Sequence, residues 1–168
     1  MKGAMSRVRL IGAVIAVSVL AACGGGGIGG GPAADRSESL EAYSPDQIYE
    51  RGEYELSRNR TDDAAYYFSE VERLYPYSEW AKQGLIMTAF AFHQGKDYEE
   101  SRAAAQRYID FYPTEEDAAY AQYLLALSYY DQIDEVGRDQ GLTFQALQAL
   151  RTVIEVYPDS EYATSAVL

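Results

Sequence analysis

The sequence predicts an all-α solenoid built from stacked helix-turn-helix pairs. The first observation is a Tyr-Pro dipeptide that recurs at Tyr75-Pro76, Tyr112-Pro113 and Tyr157-Pro158, with prolines 37 and then 45 residues apart. The second is that alanine, leucine and tyrosine recur at three- and four-residue spacing from about Ser44 onward, which is typical of amphipathic helices. Helices within a longer repeat indicate stacked helix pairs, whose surfaces usually bind another protein.

The boundaries of the helices follow from local chemistry. Each Tyr-Pro is expected to end a helix, because proline disfavours the α conformation in the residue before it. Ser44, Ser78 and Ser160 are placed to act as N-caps. Gly95 is expected to end a helix as a left-handed C-cap. The predicted helices are 45–58, 62–75, 79–94, 97–111, 115–133, 142–156 and one that begins at 160.

When the prolines are aligned, small and aromatic residues occupy equivalent places in three units. They resemble the tetratricopeptide (TPR) consensus, in which small residues let two antiparallel helices approach and large residues fill the gap. The matching residues are Gly52, Ala64, Phe68 and Val71 in the first unit, Ala89, Phe92, Tyr98, Ala105 and Tyr108 in the second, and Ala126, Tyr129, Ala146, Leu150 and Val153 in the third. The predicted fold class is therefore an α-solenoid of TPR repeats, about three repeats plus the start of a fourth. We expect the chain to be an incomplete copy of a longer protein.

The first 22 residues predict a signal peptide rather than part of the fold. Basic residues at Lys2, Arg7 and Arg9 precede an apolar run over residues 10–20. This run is shorter than the roughly 20 apolar residues that a membrane-spanning helix needs. Small residues close the segment, as they do before a signal-peptide cleavage site.

The chain's single cysteine, Cys23, stands directly after these small residues. The arrangement resembles a bacterial lipobox, which implies that Cys23 is the lipidated first residue of the mature protein. A free thiol beside an ordinary cleavage site is the alternative. Acyl chains would hold the protein at a membrane, since each buried CH₂ adds about 0.8 kcal/mol of affinity. Gly24 follows instead of an inner-membrane retention aspartate, so by analogy the destination is the periplasmic face of the outer membrane.

The predicted organisation has three parts. Residues 1–22 are the signal peptide, residues 23–44 are the lipidated cysteine and a flexible glycine-rich tether, and residues 45–168 are the TPR domain. Removing the three positive charges of the signal peptide takes the formal charge from −12 to −15. Such an acidic chain is not expected to bind nucleic acid, whose phosphates need Lys and Arg partners.

The residues of catalysis and metal binding are scarce. His93 is the only histidine, and the only cysteine is assigned to the anchor. A nucleophile–base pair and a zinc site both need more than this. The sequence therefore predicts a protein that is not an enzyme and has no metal or cofactor.

The first helix of each pair is expected to line a concave groove that binds an extended, aromatic-rich peptide. Packing between repeats is the alternative role for the same side chains. The groove candidates are Tyr49, Glu53 and Leu56 in the first unit, Ile86, Phe90 and His93 in the second, and Tyr123, Leu127 and Tyr130 in the third.

Together, the lipobox, the tether and the repeats resemble the BamD (ComL/YfiO) family of outer-membrane assembly lipoproteins. The resemblance covers residues 40–168 and includes the stretch Tyr75–Ala81, residues Gly137–Gln140 of an eight-residue insertion at 133–140, and the stretches Ala146–Leu150 and Tyr157–Ala163. It implies a scaffold that receives the C-terminal segments of unfolded outer-membrane proteins. The implied partners are the POTRA domain of BamA, other Bam lipoproteins and, through the lipid, the outer membrane. The insertion residues Gly137, Arg138, Asp139 and Gln140 form either a partner-contact loop or a solvent-exposed loop in which Asp139 caps the next helix.

Other envelope proteins with TPR repeats remain as alternatives. They are a coordinator associated with Tol-Pal and cell division, a pilus assembly lipoprotein and a TPR-bearing peptidoglycan hydrolase. The first usually carries a coiled coil and lacks a lipobox, whereas the last needs an additional catalytic domain.

Overall fold

Seven α-helices and one 3₁₀ turn make up the part of the chain that the computed structural model describes, residues 39–133 and 140–167. The elements are the 3₁₀ turn Leu40–Ala42, α1 (Pro45–Ser57), α2 (Thr61–Leu74), α3 (Glu79–Gly95), α4 (Tyr98–Phe111), α5 (Ala118–Tyr130), α6 (Gln140–Val156) and α7 (Glu161–Ser165). Within these ranges there is no β-strand. The predicted all-α class is confirmed.

The helices pack in the order in which they occur along the chain. Each helix contacts the next, which gives the pairs α1/α2, α3/α4 and α5/α6 followed by the short α7. The largest buried cluster runs from α3 to α7, and two smaller clusters lie between α1, α2 and α3. This is the helix-turn-helix repeat that the sequence predicts, and each repeat buries its apolar face against its neighbours.

The three Tyr-Pro sites end the second helix of each pair in the same way. Tyr75 and Tyr112 have non-helical ψ angles of 56° and 51°, as proline requires of the residue before it. Ser78 and Ser160 then begin the next helices, and their hydroxyls accept hydrogen bonds from backbone N–H groups at 3.1 and 3.2 Å. The same hydroxyls donate back to the Tyr75 and Tyr157 carbonyls at 2.8 Å. The dipeptide and the serine therefore make the same turn after Tyr75 and after Tyr157, whereas Tyr112-Pro113 is followed by no capping serine.

Two glycines allow the helices around Phe68 to approach closely. A Cβ at Gly52 would lie 2.6 Å from the Phe68 ring, and a Cβ at Gly84 would lie 2.8 Å from the Phe68 carbonyl oxygen. Neither distance leaves room for a methyl group. The small residues therefore bring α1 and α3 against α2, in agreement with the consensus role expected of Gly52.

Between α3, α4 and α5 a polar residue replaces one of the small apolar ones. Ser101 is fully buried, and its hydroxyl donates to the Ala89 carbonyl at 2.9 Å and accepts from Ser128 at 3.0 Å. Arg102 covers the same interface, with its guanidinium 4.5 Å from the Tyr129 ring centroid and donating to the Ser128 carbonyl. The contact between the second and third repeats is thus partly polar.

Several predicted boundaries need correction. The fifth helix begins at Ala118 rather than 115, because residues 113–117 form turns, and it ends at Tyr130 rather than 133. Gly95 is the last helical residue of α3, and the left-handed residue is Lys96, with φ 69°. Asn59 adopts a similar φ of 59° after α1, so asparagine takes the place of the usual turn glycine.

The folded part of the chain also begins earlier than the predicted tether allows. Leu40, in the 3₁₀ turn, packs against a cluster that contains Ile48 and Tyr67. The Tyr75 hydroxyl donates to the Tyr43 carbonyl. Residues that directly precede α1 are therefore attached to the first repeat.

Candidate functional site

The first helices of the repeats form one continuous surface. α1 contacts α3, α3 contacts α5, and α5 contacts α7. The second helices α2, α4 and α6 make few or no contacts with one another. Because the helices are more closely spaced on the first-helix side, that side is concave. We call the surface formed by α1, α3, α5 and α7 the groove.

The candidates on α1 are partly buried at the groove. The Tyr49 ring lies between Phe68 and Trp80, with centroid distances of 5.1 and 5.0 Å. Leu56, two turns further along, packs against the cluster that contains Phe68. The charged candidate Glu53, which lies between Tyr49 and Leu56 along α1, is exposed. Tyr49 thus joins the first two repeats and still presents part of its ring.

On α3 the structure separates the three candidates. Ile86 is only 6% exposed and belongs to the core, so we do not retain it as a ligand-facing residue. Phe90 is partly exposed while it packs against the same core. His93 makes internal contacts: its Nε2 lies 3.1 Å from Asp131 Oδ2, and its ring stands edge-on to Tyr98. Of the three, Phe90 is the residue best placed to meet a ligand.

The candidates on α5 follow one face of the helix. Tyr123 and Leu127 are partly exposed, and Tyr130 is 45% exposed. Tyr123 also stacks on Tyr162 of α7, with ring centroids 5.5 Å apart. This face carries the most accessible aromatic surface of the predicted groove.

Three further aromatic residues at the groove were not among the predicted site residues. Trp80, Tyr120 and Tyr162 stand in the first turn of α3, α5 and α7, after the three Tyr-Pro turns, and each is partly exposed. Tyr120 and Tyr162 have ring centroids 5.3 Å apart, and Trp80 contacts Tyr49. The aromatic residue that follows each Tyr-Pro was visible in the sequence, but its position at the groove depends on how the repeats stack. We call Tyr49, Trp80, Tyr120 and Tyr162 the aromatic row.

Negative charge accompanies the aromatic row. Burial raises the pKa of Tyr49, and the charges of Glu53 and Asp117 raise it further. Burial likewise raises the pKa of Tyr120 to about 12, with added contributions from Tyr162 and Asp117. These hydroxyls are therefore neutral hydrogen-bond donors and acceptors at physiological pH, set among carboxylates.

Three predicted features fall outside the described residues. They are the lipidation site Cys23, the signal peptide and tether up to residue 38, and the insertion residues Gly137, Arg138 and Asp139. Gln140 is described, and it is exposed as the first residue of α6. Among the described helices, none is long and apolar enough to cross a membrane.

Comparison with known proteins decides the family. A family model described as YfiO, outer membrane lipoprotein, matches residues 41–167. The chain belongs to the YfiO family. The resemblance seen in the sequence is thereby confirmed, and the matched range covers the repeats described above.

Relatives in the YfiO family carry the name "Outer membrane protein assembly factor BamD". The protein of Caulobacter vibrioides is 46% identical over 121 residues, which are 72% of this chain and 40% of the relative. The Rickettsia prowazekii protein is 32% identical over 121 residues, with 72% and 48% coverage. The Neisseria gonorrhoeae protein is 25% identical over 146 residues, with 81% and 55% coverage. The chain thus spans about half the length of these relatives, or less.

Proposed function

We propose that the chain is a non-enzymatic component of the machinery that assembles outer-membrane β-barrel proteins, and that it receives unfolded substrates in its groove. The relatives named as outer membrane protein assembly factors support the process. The observation that carries the binding role is the concave first-helix surface with its partly exposed aromatic residues.

The groove suits an extended peptide with aromatic side chains. Tyrosine and tryptophan give a large contact area and a polar tip, so they bind apolar side chains and can also hydrogen-bond to peptide groups. Stacked helix pairs offer such residues at regular intervals along one surface. We infer that the ligand is the C-terminal segment of an unfolded barrel protein, which the family resemblance implies is rich in aromatic residues.

The partners follow from the family resemblance. We propose that the chain works with the POTRA domain of BamA and with other Bam lipoproteins. We further propose that Cys23 carries the lipid that holds the protein at the periplasmic face of the outer membrane. Gln140 and the preceding insertion residues are the proposed partner-contact loop. None of these roles calls for a cofactor.

A non-enzymatic role agrees with the side chains that are present. The one histidine, His93, has Asp131 and Tyr98 as its neighbours. Among the described residues no group of three or more His, Cys, Asp or Glu side chains converges as a metal site would. The side chains that are present suit a binding surface.

Peptide titration tests the binding role. A fluorescent peptide with the C-terminal sequence of a barrel protein is titrated with the purified chain, and its anisotropy is measured. We expect saturable binding, and we expect the double variant Phe90→Ala/Tyr123→Ala to weaken it by about tenfold or more, since aromatic anchors dominate such surfaces.

The matched control is Phe111→Ala/Phe144→Ala. These phenylalanines are 64% and 60% exposed on the second helices α4 and α6, outside the groove. The control variant should bind as the wild type does, and circular dichroism should show both variants folded. Absence of binding by the folded wild type, or equal loss in both variants, would contradict the groove assignment.

A further inference from the structure

We propose that α1 carries a second binding surface, which binds an acidic peptide segment that contains one large apolar side chain. The apolar side chain enters a cavity beside α1, and two carboxylates of the segment pair with Arg51 and Arg58. Both arginines lie on the far side of α1 from Tyr49 and Leu56, since each residue advances about 100° around a helix. The surface is therefore separate from the groove and goes beyond the proposed function.

The cavity lies between the 3₁₀ turn, α1 and α2, and its volume is about 160 Å³. Ile48 and Tyr67 are 1% and 4% exposed, and Leu40 packs against them, so the cavity has an apolar floor. Apolar cavities of about 150 Å³ hold a benzene-sized molecule. The space therefore suits one leucine or phenylalanine side chain. The lining residues are Leu40, Tyr43, Gln47, Ile48, Arg51 and Tyr67.

Arg51 is the one charged residue that lines this cavity, and its side chain is 55% exposed. Its guanidinium carbon lies 5.7 Å from the Tyr67 ring centroid. Burial raises the pKa of the Tyr67 hydroxyl, and the charge of Arg51 and a hydrogen bond from it oppose that rise. Because arginine has five N–H donors, these contacts orient the guanidinium at the cavity mouth and leave donors for a ligand carboxylate.

Glu55 holds Arg51 in place without belonging to it alone. The Glu55 carboxylate is buried, and its Oε1 lies 3.4 Å from Arg51 Nε. Its Oε2 accepts a shorter hydrogen bond, at 3.0 Å, from Arg60. One carboxylate thus serves two arginines, which leaves one positive charge in excess.

Arg58 continues the same face of the helix two turns after Arg51. Gln47, Arg51, Tyr54 and Arg58 are spaced four, three and four residues apart, so they form one stripe along α1, which we call the arginine stripe. The Tyr54 ring centroid lies 5.8 Å from the Arg51 guanidinium carbon and 5.4 Å from that of Arg58. The Tyr54 hydroxyl also accepts a hydrogen bond from Arg58 at 2.6 Å. An exposed ring therefore positions both guanidinium groups.

The carboxylates closest to the arginine stripe do not cancel its charge. Glu50 flanks the stripe, about 100° around the helix from Arg51. Counting Glu50 and Glu55 against Arg51, Arg58 and Arg60 leaves one positive charge, in a chain whose formal net charge is −12. A local excess of this kind attracts an anionic partner and disfavours a cationic one.

The remaining acidic residues of α1 face the groove, and Glu70 of α2 is paired. Asp46 and Glu53 stand more than 100° around the helix from Arg51. Glu70 accepts two hydrogen bonds from Arg73, at 2.9 and 2.6 Å. None of these three acidic residues lines the cavity.

The spacing of the two arginines defines the ligand. Seven residues of α-helix extend about 10 Å, which separates Arg51 from Arg58 along α1. Two carboxylates three residues apart in a polyproline II segment lie on one side and about 9 Å apart. A leucine beside the first carboxylate then meets the cavity next to Arg51. The surface therefore fits an acidic, proline-containing segment with one large apolar residue.

Three matched peptides test this fit by fluorescence anisotropy. All have capped ends, and their cores are Leu-Glu-Pro-Pro-Glu, Leu-Gln-Pro-Pro-Gln and Ala-Glu-Pro-Pro-Glu. At low salt we expect the first to bind the chain about three- to tenfold more tightly than the second, since exposed ion pairs contribute modestly. We expect the third to bind about tenfold more weakly than the first, because it leaves the cavity empty. Added salt should narrow only the first difference.

The decisive variant is Arg51→Gln/Arg58→Gln. It should remove most of the advantage of the glutamate peptide over the glutamine peptide. Arg58→Gln alone keeps the contact between Arg51 and Glu55, so it should stay folded and lose part of the advantage. The matched control is Arg151→Gln, which removes an exposed arginine of α6 and should leave the advantage intact. Circular dichroism checks that each variant is folded.

The outcomes decide the inference independently of the groove. Absence of binding, equal binding of the glutamate and glutamine peptides, or an advantage that survives in folded Arg51→Gln/Arg58→Gln would overturn it. Equal binding of the leucine and alanine peptides would overturn the role of the cavity. Competition by the C-terminal peptide of a barrel protein would place the ligand in the groove and overturn the second surface. A groove that binds no barrel peptide would leave the expected results for these three peptides unchanged.

Discussion

Replacing Gly84 by alanine tests the packing on which the repeat stack depends. The new Cβ would lie 2.8 Å from the Phe68 carbonyl oxygen and 3.4 Å from the Val71 Cβ. The first obstacle is backbone, and Phe68 and Val71 are both fully buried, so relief requires α2 and α3 to separate by a few tenths of an ångström. Overpacking of this kind costs about 1–3 kcal/mol.

The change also has a favourable part, because alanine is a better helix former than glycine by about 1 kcal/mol. Because the obstacle is backbone, the overpacking cost lies towards the upper end of its range, and we therefore expect a net loss of up to about 2 kcal/mol in the free energy of unfolding. Urea titration followed by circular dichroism should show a lower midpoint with an unchanged slope.

The neighbouring substitution Gln83→Ala is the matched control. Gln83 is exposed on the same helix, so its replacement should change stability by less than about 0.5 kcal/mol. If Gly84→Ala were as stable as the wild type or more stable, the propensity gain would outweigh the clash, and the close approach of α2 and α3 would be refuted.

Three other predictions concern buried polar groups. Tyr108→Phe should leave stability unchanged or raise it by up to about 1 kcal/mol in thermal unfolding, because the Tyr108 hydroxyl is buried without a hydrogen bond among the described residues; a loss above 1 kcal/mol would reveal a partner. Stability should also fall as pH rises above 10. Burial raises the pKa of Tyr108 and brings that of Tyr120 to about 12, so the neutral hydroxyls favour the folded state up to pH 10, and this contribution is lost as pH approaches the folded-state pKa values. Unfolding midpoints that stay constant from pH 9 to about 12 would contradict this prediction. Ser101→Ala should cost no more than about 1 kcal/mol in urea unfolding, because Ser128 keeps its bond to the Leu124 carbonyl; a cost of several kcal/mol would show that the hydroxyl pair stabilises the α4–α5 contact more than this geometry implies.

Much of the fold could be predicted because its determinants are local. A proline acts on the residue before it, so Tyr75 and Tyr112 mark helix ends whatever surrounds them. Serine caps act within three residues, and Ser78 and Ser160 behave accordingly. Gly95 was assigned the wrong role, since the chain turns one residue later at Lys96. The Gly95 position instead lies close to Thr61, whose Oγ1 would be 2.8 Å from an added Cβ, and that contact is not local.

The candidate site was predicted less completely because exposure depends on how repeats stack. Helical spacing placed Ile86 and Phe90 on one face, but only the packing of α3 shows that Ile86 is buried. His93 was assigned to the groove without knowledge of Asp131, which lies 38 positions later and meets it at the end of α5. The aromatic row was missed for the same reason, since Trp80 and Tyr49 become neighbours only when the first two repeats stack.

Site-specific photocrosslinking tests the central claim most directly. A photoreactive residue is placed at Tyr130, which is 45% exposed on the groove side of α5, or at Phe111, which is 64% exposed on α4. Each variant of the chain is irradiated with an unfolded outer-membrane barrel protein. The account predicts an adduct at position 130 that a C-terminal peptide of the substrate competes away, with little adduct at position 111. Equal labelling at the two positions, or labelling at 111 alone, would contradict substrate binding in the groove.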